Sequence, residues 1–250
     1  MKLRESKHRK SQKIFLVEGA REVERALAAG FIPTTIFVLE NCVEKHSALL
    51  SSLVDKQEGK TVFSLNASAY EKLAVRSTTE SIISLFRYKE EIKEEITLPD
   101  NPVICLLDGL EKPGNLGAIF RSCDGAGVDL IIITGEGADV YSPNSIRSSV
   151  GSVFNLNILS LSNEKALEFL KSRNIKTYGA VLSESSQSMY EKNLSEHQGV
   201  AICLGTEANG LSEFWLKNSS HIIIPMRGIS DSLNVSVASA ILMYEVTKNK

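Results

Sequence analysis

The stretch LLDGLEKPGNLGAIFRSCDGAGVD, residues 106–129, decides the fold of the second half of the chain. Its first residues complete an apolar run, 103–107, that predicts a buried strand. Pro113 and Gly114 prevent the strand from continuing, because proline lacks the N–H that a strand donates and both residues favour turns. A polar loop over residues 112–117 is therefore expected at the carboxyl end of this strand.

A helix and a second strand complete this unit. Ile119, Phe120 and Cys123 predict the apolar face of the helix, which is expected to end at the glycines before the apolar strand 128–133. Ligands bind at the carboxyl ends of strands in open α/β sheets, so the loop is a candidate binding site. Its glycines match neither a dinucleotide-binding nor a Walker pattern, and on their own they also fit a tight turn that binds nothing.

Two later stretches have the same form, an apolar strand followed by a polar turn that contains glycine. They are ICLGTEANGLS at 202–212, and IIIPMRG at 222–228 with SLNVSVA at 232–238. Together with the first stretch, they resemble the signature motifs of the SpoU (TrmH) family of RNA ribose 2'-O-methyltransferases. The matching patterns are N-x-G-A-I-x-R at 115–121, G-S/T-E-x-x-G-L/M at 205–211 and I-P-M-x-G-x-x-x-S-L-N-V-S-x-A at 224–238. All three are intact and in order, and the similarity spans roughly residues 100–247.

The resemblance implies a fold that spacing alone does not predict. General topology rules favour an unknotted, doubly wound sheet. Members of the SpoU family, within the SPOUT superfamily, instead tie their carboxyl-terminal domain into a deep trefoil knot. The expected fold class is therefore α/β, with a small amino-terminal α/β/α RNA-binding domain and a carboxyl-terminal trefoil-knot methyltransferase domain.

The same resemblance implies S-adenosylmethionine as the cofactor, held by the loops of the second and third motifs. Carried over by position, the cofactor-binding residues are Ala180, Leu204, Gly205, Ile224, Met226 and Leu233. These residue types suit an adenine ring, which needs apolar walls and main-chain hydrogen-bonding groups at its edge. Gly205 also permits close approach, because it has no side chain. No metal site is expected, since the four histidines are scattered singly and the four cysteines form no C-x-x-C pair.

The resemblance assigns the catalytic step to five polar residues. Arg121 matches the family's catalytic arginine, but a guanidinium with a pKa above about 12 is a poor base. We therefore expect it to align the ribose hydroxyl and the adjacent phosphate, and to stabilise the developing oxyanion. Asn115 is expected beside the ribose or as a support of the first loop, with Glu207 orienting either Asn115 or Arg121. Ser232 and Asn234 cap the last helix, reach the RNA, or do both.

The first 90 residues alternate short apolar strands with helices, which predicts a small α/β/α layer. The predicted elements are strands at 14–17, 35–38, 61–65 and 81–86 and helices at 18–29, 47–54 and 67–73, the last one capped by Asn66. This region resembles the family's amino-terminal substrate-binding domain. We assign residues 1–90 to that domain, 91–101 to an acidic linker and 102–250 to the methyltransferase domain.

RNA-binding residues are expected in two places. The basic start of the chain, with Lys7, Arg9 and Lys10, is either an RNA-binding patch or a solvated tail. Arg147 lies in the short polar segment 145–150, where the family has a basic residue, and is either an RNA contact or a plain surface arginine. The net charge of -2 provides no global signal for nucleic acid, so a local patch must supply the attraction.

The function that these observations favour is methyl transfer from S-adenosylmethionine to a ribose 2'-hydroxyl of RNA. The amino-terminal domain favours 23S ribosomal RNA. A tRNA substrate is the first alternative, and a non-catalytic RNA-binding protein is the second. A nucleotide-binding oxidoreductase is the third, but the sequence lacks the G-x-G-x-x-G pattern of that class. The last helix, 232–248, is apolar around much of its circumference, which indicates burial or the homodimer interface that the family implies. A length of 250 residues suits two domains, and the lack of a membrane-length apolar run predicts a soluble, cytoplasmic protein without a membrane partner.

Overall fold

The computed structural model describes residues 2–54, 61–75, 80–89, 96–136, 139–194 and 198–249. Their contacts group the chain into two compact units. The amino-terminal unit comprises Met1–Glu91 and Asp139–Asn155, and the carboxyl-terminal unit comprises Ile92–Ala138 and Leu156–Lys250. Part of the predicted acidic linker, residues 91–95, lies outside the described residues. Among the residues that are described, no helix combines the length and apolar character needed to cross a membrane.

The elements up to residue 89 follow the predicted alternation of strands and helices. They are α1 Ser6–Gln12, β1 Ile14–Glu18, α2 Ala20–Ala28, β2 Pro33–Leu39, α3 Ser47–Val54, β3 Thr61–Leu65, α4 Ala67–Leu73 and β4 Ile82–Arg87. The predicted cap of α4 is confirmed, because the Asn66 carboxamide accepts a hydrogen bond from the Ala69 N–H at 2.9 Å. The strand order is β1–β4–β2–β3, with β2 and β3 parallel and the other neighbours antiparallel.

The basic start of the chain is folded, which corrects the interpretation of a solvated tail. Residues 6–12 form α1, and Arg9 on this helix is only 2% exposed. Its guanidinium donates to the Leu3 carbonyl oxygen at 2.5 Å and pairs with the Asp139 carboxylate. The prediction of Arg9 as an RNA contact is therefore wrong, because its charge is buried and paired within the protein.

Residues 139–155 were expected in the methyltransferase domain, but their contacts group them with the amino-terminal unit. Phe15 on β1 stacks on Tyr141 with ring centroids 4.6 Å apart, and the Phe154 centroid lies 5.9 Å from that of Phe15. Arg25 on α2 donates to the Val150 carbonyl oxygen at 2.5 Å. This segment thus completes the aromatic core of the amino-terminal unit.

The elements beyond residue 102 alternate strands and helices as predicted. They are β5 Val103–Asp108, α5 Pro113–Ala126, β6 Leu130–Thr134, α6 Pro143–Ser148, β7 Ile158–Ser160, α7 Asn163–Ser172, β8 Lys176–Ala180, β9 Gln187–Ser188, β10 Val200–Leu204, α8 Glu213–Asn218, β11 Ser220–Ile223 and α9 Val235–Thr247. All but α6 belong to the carboxyl-terminal unit. Its strands form one sheet in the order β7–β6–β5–β10–β8–β11–β9, and every pair is parallel.

Both faces of this sheet are covered. Strands β5, β6 and β10 are buried along their whole length, as a parallel sheet with helices on both faces requires. On one face, Leu106 and Cys203 share a core cluster with Leu170 of α7 and Trp215 of α8. Helices α5 and α9 pack against each other, and α9 also contacts β5 and β10. Because the faces are covered, the strand ends are where the sheet can meet a ligand, and the motifs follow those ends.

The predicted starts of α5 and α9 were wrong. Helix α5 begins at Pro113, so the loop expected over 112–117 is mostly the first turn of the helix. Proline is favoured at the first helical position, where its missing N–H is not needed. Helix α9 begins at Val235 rather than Ser232, because Asn234 caps it by accepting from the Ser236 N–H at 2.9 Å.

Candidate active site

The three motifs lie at one edge of the carboxyl-terminal sheet. The first follows β5, the second follows β10 and the third follows β11, and only β8 separates β10 from β11. Because these strands are parallel, their carboxyl ends lie at the same edge. Side chains that are 92 and 119 residues apart in sequence make contact there.

A chain of hydrogen bonds joins one polar residue from each motif. Asn115, in the first turn of α5, donates from Nδ2 to Glu207 Oε1. Its Oδ1 accepts from Asn234 Nδ2 at 3.3 Å. Since Asn234 is itself fixed by capping α9, the Asn115 carboxamide is held from both ends in one orientation.

Glu207 was predicted to orient either Asn115 or Arg121, and the structure places it on Asn115. The Lys112 Nζ lies 3.7 Å from Glu207 Oε1, an exposed ion pair that adds little to stability. Arg121 is exposed on α5, about 120° around the helix axis from Asn115. Within the described ranges, no hydrogen bond or ion pair involves the Arg121 guanidinium. Its donors are therefore available to a ligand.

Of the two residues predicted to cap α9, Ser232 and Asn234, only Asn234 does so. Asn234 is the helix cap, and its carboxamide also reaches Asn115. Ser232 is exposed and makes no hydrogen bond to any residue that the structure describes. The Ser232 hydroxyl is therefore not needed to start α9 and is left for other contacts.

Gly205 begins a tight turn that the second motif forms after β10. Thr206 and Gly210 close the turn by exchanging two backbone hydrogen bonds, each 2.9 Å long. A Cβ on Gly205 would overlap the Gly210 carbonyl group and the Leu211 backbone nitrogen. The turn itself therefore requires glycine at this position, in addition to the approach of a ligand that was predicted for it.

The predicted cofactor-binding residues lie at the carboxyl ends of β8 and β10 and in the segment between β11 and α9. Leu204 is buried at the end of β10. The others with side chains are half-buried: Ala180, Ile224, Met226 and Leu233. Half-buried apolar side chains at the strand ends of a parallel sheet provide the kind of wall that a flat, largely apolar ring system needs.

Asp108 was not among the predicted site residues. Its carboxylate, at the end of β5, is buried and accepts from the Ser212 N–H at 2.7 Å and from the Thr134 hydroxyl at 3.2 Å. It thereby joins the end of the second motif to the ends of β5 and β6. The available signal was an acidic residue directly after a fully apolar run, a position where a charge is costly unless it has partners.

The cysteines beneath the site are core residues, as predicted for Cys105 and Cys203. Burial raises the pKa of the Cys203 thiol well above its ordinary value. Hydrogen bonding with Cys105, together with burial, raises the pKa of Cys123. A buried thiol that stays protonated is a poor nucleophile. Across the ranges that the structure describes, no cluster of His, Cys, Asp or Glu side chains is arranged to hold a metal ion.

Three of the four residues predicted to bind RNA are on the surface of the amino-terminal unit. Lys7 and Lys10 are exposed on α1, and Arg147 is exposed on α6. Lys7 and Lys10 are three residues apart, so they share one face of their helix. Arg9 lies between them and points inward. A phosphate group can thus reach Lys7, Lys10 and Arg147 but not Arg9.

Comparison with protein families assigns both parts of the chain. Residues 102–244 match the SpoU rRNA Methylase family, and residues 1–84 match the MRM3-like substrate binding domain. The 23S rRNA (guanosine(2553)-2'-O)-methyltransferase RlmP of Bacillus subtilis is 28% identical over 246 residues. That alignment covers 98% of this chain and 93% of RlmP.

Solved structures agree with this assignment. A crystal structure of an RNA 2'-O ribose methyltransferase is 38% identical, with a TM-score of 0.83, and the match covers 99% of this chain and 93% of that one. The AdoMet-bound rRNA methyltransferase of Sinorhizobium meliloti shares the fold at 24% identity, with a TM-score of 0.88 over 99% of this chain and 92% of that one. A structure concerned with 2-OH methylation of C/U34 on tRNA is also 24% identical, with a TM-score of 0.54, and covers 60% of this chain but 97% of its own.

The predicted fold class, a small amino-terminal α/β domain followed by a SPOUT methyltransferase domain, is thereby confirmed. The family match spans more than half of the chain and includes all three motifs. The chain belongs to the SpoU family of RNA methyltransferases.

Proposed function

We propose that this protein transfers a methyl group from S-adenosylmethionine to a ribose 2'-hydroxyl of ribosomal RNA in the cytoplasm. The observation that carries the proposal is the hydrogen-bonded chain Glu207–Asn115–Asn234, because it brings together one polar residue from each signature motif. Membership of the SpoU family supports the reaction class. The activity named for RlmP supports 23S rRNA as the substrate.

The strand ends fit S-adenosylmethionine. Ala180 at the end of β8 and Ile224, Met226 and Leu233 between β11 and α9 are half-buried and offer apolar surface, and buried Leu204 and Gly205 lie at the end of β10. These residues would hold the adenosyl part of the cofactor. When bound, the cofactor supplies a methyl group on a sulfonium whose departure leaves a neutral thioether, so no acid is needed for the leaving group.

The remaining chemical difficulty is the ribose hydroxyl, a weak nucleophile at neutral pH. Arg121 is exposed and unpaired within the described ranges, so its donors can meet the hydroxyl and the neighbouring phosphate. A guanidinium stabilises developing negative charge without accepting the proton. The proton leaves through phosphate or water. Asn115 orients the ribose, and Ser232 contributes a further hydroxyl contact.

The amino-terminal unit supports a ribosomal rather than a transfer RNA substrate. Residues 1–84 match the MRM3-like substrate binding domain, and two fifths of this chain lie outside the match to the structure concerned with tRNA. We assign residues 1–90 to substrate binding, 91–101 to a linker and 102–250 to methyl transfer, with residues 139–155 packed on the first domain. Lys7, Lys10 and Arg147 attract the phosphate backbone, which dominates affinity for RNA.

The protein acts as a homodimer through α9. This helix buries one side against its own unit and leaves Val237 and Tyr244 exposed, at 46% and 55%. These residues are seven positions apart and therefore lie on one face. Light scattering after gel filtration should give a molar mass twice that of one chain. The Val237→Glu variant should give the mass of a single chain, because a charge replaces the apolar side chain on this face. A monomer at working concentration would contradict this part of the proposal.

The decisive experiment follows a labelled methyl group from S-adenosylmethionine to unmodified 23S rRNA and unmodified tRNA in parallel. A 2'-O-methyl group makes the adjacent linkage resistant to alkali, so the product is identified by that resistance. Label on 23S rRNA supports the proposal, and label on tRNA alone refutes the substrate assignment. A protein that binds the cofactor and labels neither RNA, nor assembled ribosomal subunits, favours the alternative of a non-catalytic RNA-binding protein.

A further inference from the structure

Asp108 is a buried carboxylate that no cation among the described residues pairs with. It is 5% exposed at the end of β5, and among the described residues no lysine, arginine or histidine pairs with it. Its two hydrogen-bond donors are the Ser212 N–H and the Thr134 hydroxyl. Burying a carboxylate is costly, and an apolar residue at the end of this strand would avoid that cost. The charge is therefore explained only by what its hydrogen bonds hold in place.

The bond from Ser212 fixes the far end of the second motif. The near end, at Gly205, is fixed by continuation from β10, and the turn between them is closed by the Thr206–Gly210 pair. Glu207 lies inside this turn. A hydrogen bond to a charged acceptor is about twice as strong as a neutral one, so the 2.7 Å bond to Asp108 anchors the end of the loop firmly.

We propose that Asp108 is a positioning residue for methyl transfer. It holds the Ser212 end of the second motif so that Glu207 stays in place to orient Asn115. This inference rests on the proposed roles of Asn115 and Glu207. Asp108 touches neither the substrate nor the cofactor, and it acts only through the geometry of the loop.

The inference predicts a specific pattern in a double-mutant cycle with Glu207. Displacing a group that orients the substrate by about 1 Å lowers the rate about 100-fold, and Asp108→Ala should have an effect of this size on kcat for methyl transfer to 23S rRNA. In a Glu207→Ala background the same substitution should lower kcat less than about threefold, because the effects of substituting two residues that act through one another are not additive. Asp108→Asn should retain most of the activity, since the amide can accept from Ser212 and donate to Thr134.

Thr134→Val is the matched control. It removes the other hydrogen bond of the same carboxylate but leaves the Ser212 bond intact, so stability should fall while kcat stays within about threefold of the wild type. Urea denaturation establishes that each variant is folded in the assay. If Asp108→Ala does not fold, Asp108→Ser takes its place, because its shorter side chain cannot reach the Ser212 N–H.

Three results would overturn the inference. Equal losses from Asp108→Ala in the wild-type and Glu207→Ala backgrounds would show that the carboxylate does not act through Glu207. A kcat for Thr134→Val as low as that of Asp108→Ala would show a general loss of order at the strand ends. A wild-type rate for Glu207→Ala alone would refute the proposed role of Glu207 and this inference together, so failure of the wider proposal can be told apart from failure of this step.

Discussion

Replacing Gly205 with alanine tests the turn of the second motif, and Gly210→Ala is the matched control in the same turn. A Cβ on Gly205 would overlap the Gly210 carbonyl group and the Leu211 backbone nitrogen, whereas a Cβ on Gly210 would meet nothing within 4 Å. Gly210 has a φ of +66°. Alanine at that position therefore costs only the strain of a left-handed backbone, about 1–2 kcal/mol.

Gly205→Ala should cost more, because the atoms in the way are main-chain atoms that cannot rotate aside. Separating them breaks the two hydrogen bonds between Thr206 and Gly210, each contributing about 0.5–1.5 kcal/mol. Crowding of the rigid turn adds about 1–3 kcal/mol. The expected loss in the free energy of unfolding is about 2–6 kcal/mol. The same displacement carries Glu207 away from Asn115, so the rate of methyl transfer should fall as well.

Unfolding in urea is monitored by the fluorescence of tryptophan. Trp215 is the single tryptophan of the chain and is fully buried in the carboxyl-terminal unit, so the signal reports on the unit that contains the turn. Methyl transfer is then measured without urea for each variant that is folded. Equal losses of stability for the two alanine variants, or a larger loss for Gly210→Ala, would refute the reasoning, because the steric overlap at Gly205 is expected to cost more than the backbone strain at Gly210.

Three further predictions concern single side chains. Arg121→Ala should lower methyl transfer about 100- to 1000-fold while cofactor affinity measured by calorimetry stays within a few-fold, and retained activity would refute its role in stabilising the oxyanion. Burial lowers the pKa of His46 below its ordinary value of 6.5, so the unfolded chain binds a proton that the folded chain resists. The free energy of unfolding should therefore fall as pH drops through about 6.5. Urea denaturation at pH 7.5 and 5.5 measures this fall, which should be smaller in His46→Asn than in the wild type. Arg9→Ala should cost about 3–5 kcal/mol, because it leaves the Asp139 charge unpaired, and Arg9→Met with Asp139→Leu should cost less than the single change when unfolding is followed by circular dichroism.

The location of the site could be predicted because it depends on patterns that are local in sequence. Buried runs such as 103–107 mark parallel strands, and polar turns that follow such runs meet at one edge of the sheet. The meeting of Asn115, Glu207 and Asn234 follows from that rule without any knowledge of the strand order. Local capping was equally predictable, as the bond from Ala69 to the Asn66 side chain shows.

The burial of Arg9 could not be predicted, because its partner lies 130 residues away in sequence. In the sequence Arg9 is one of several cations at the start of the chain, and nothing local distinguishes it from Lys7 or Lys10. The grouping of residues 139–155 with the amino-terminal unit could not be predicted for the same reason. Helix α6 is only six residues long, and a short segment carries no signal for the sheet on which it packs.

The structure gives Gly205 a reason that the sequence did not show. A glycine that a ligand requires and a glycine that its own turn requires look the same in a sequence, and only the direction of the missing Cβ separates them. Asp108 shows the opposite case. It lies in the stretch that decides the fold, but its partners Ser212 and Thr134 are 104 and 26 residues away, so its role became visible only with the strands in place.

The hydrogen bonds of the site separate the motif residues into two groups. Asn115, Glu207 and Asn234 hydrogen-bond to one another, so each side chain already has a protein partner that fixes its position in the absence of substrate. Arg121 and Ser232 are exposed and have no protein partner within the described ranges. Exposed polar side chains that the fold does not use can contact the substrate directly. We therefore expect substitutions in the first group to act on rate through geometry, and substitutions of Arg121 and Ser232 to act through direct contacts with RNA.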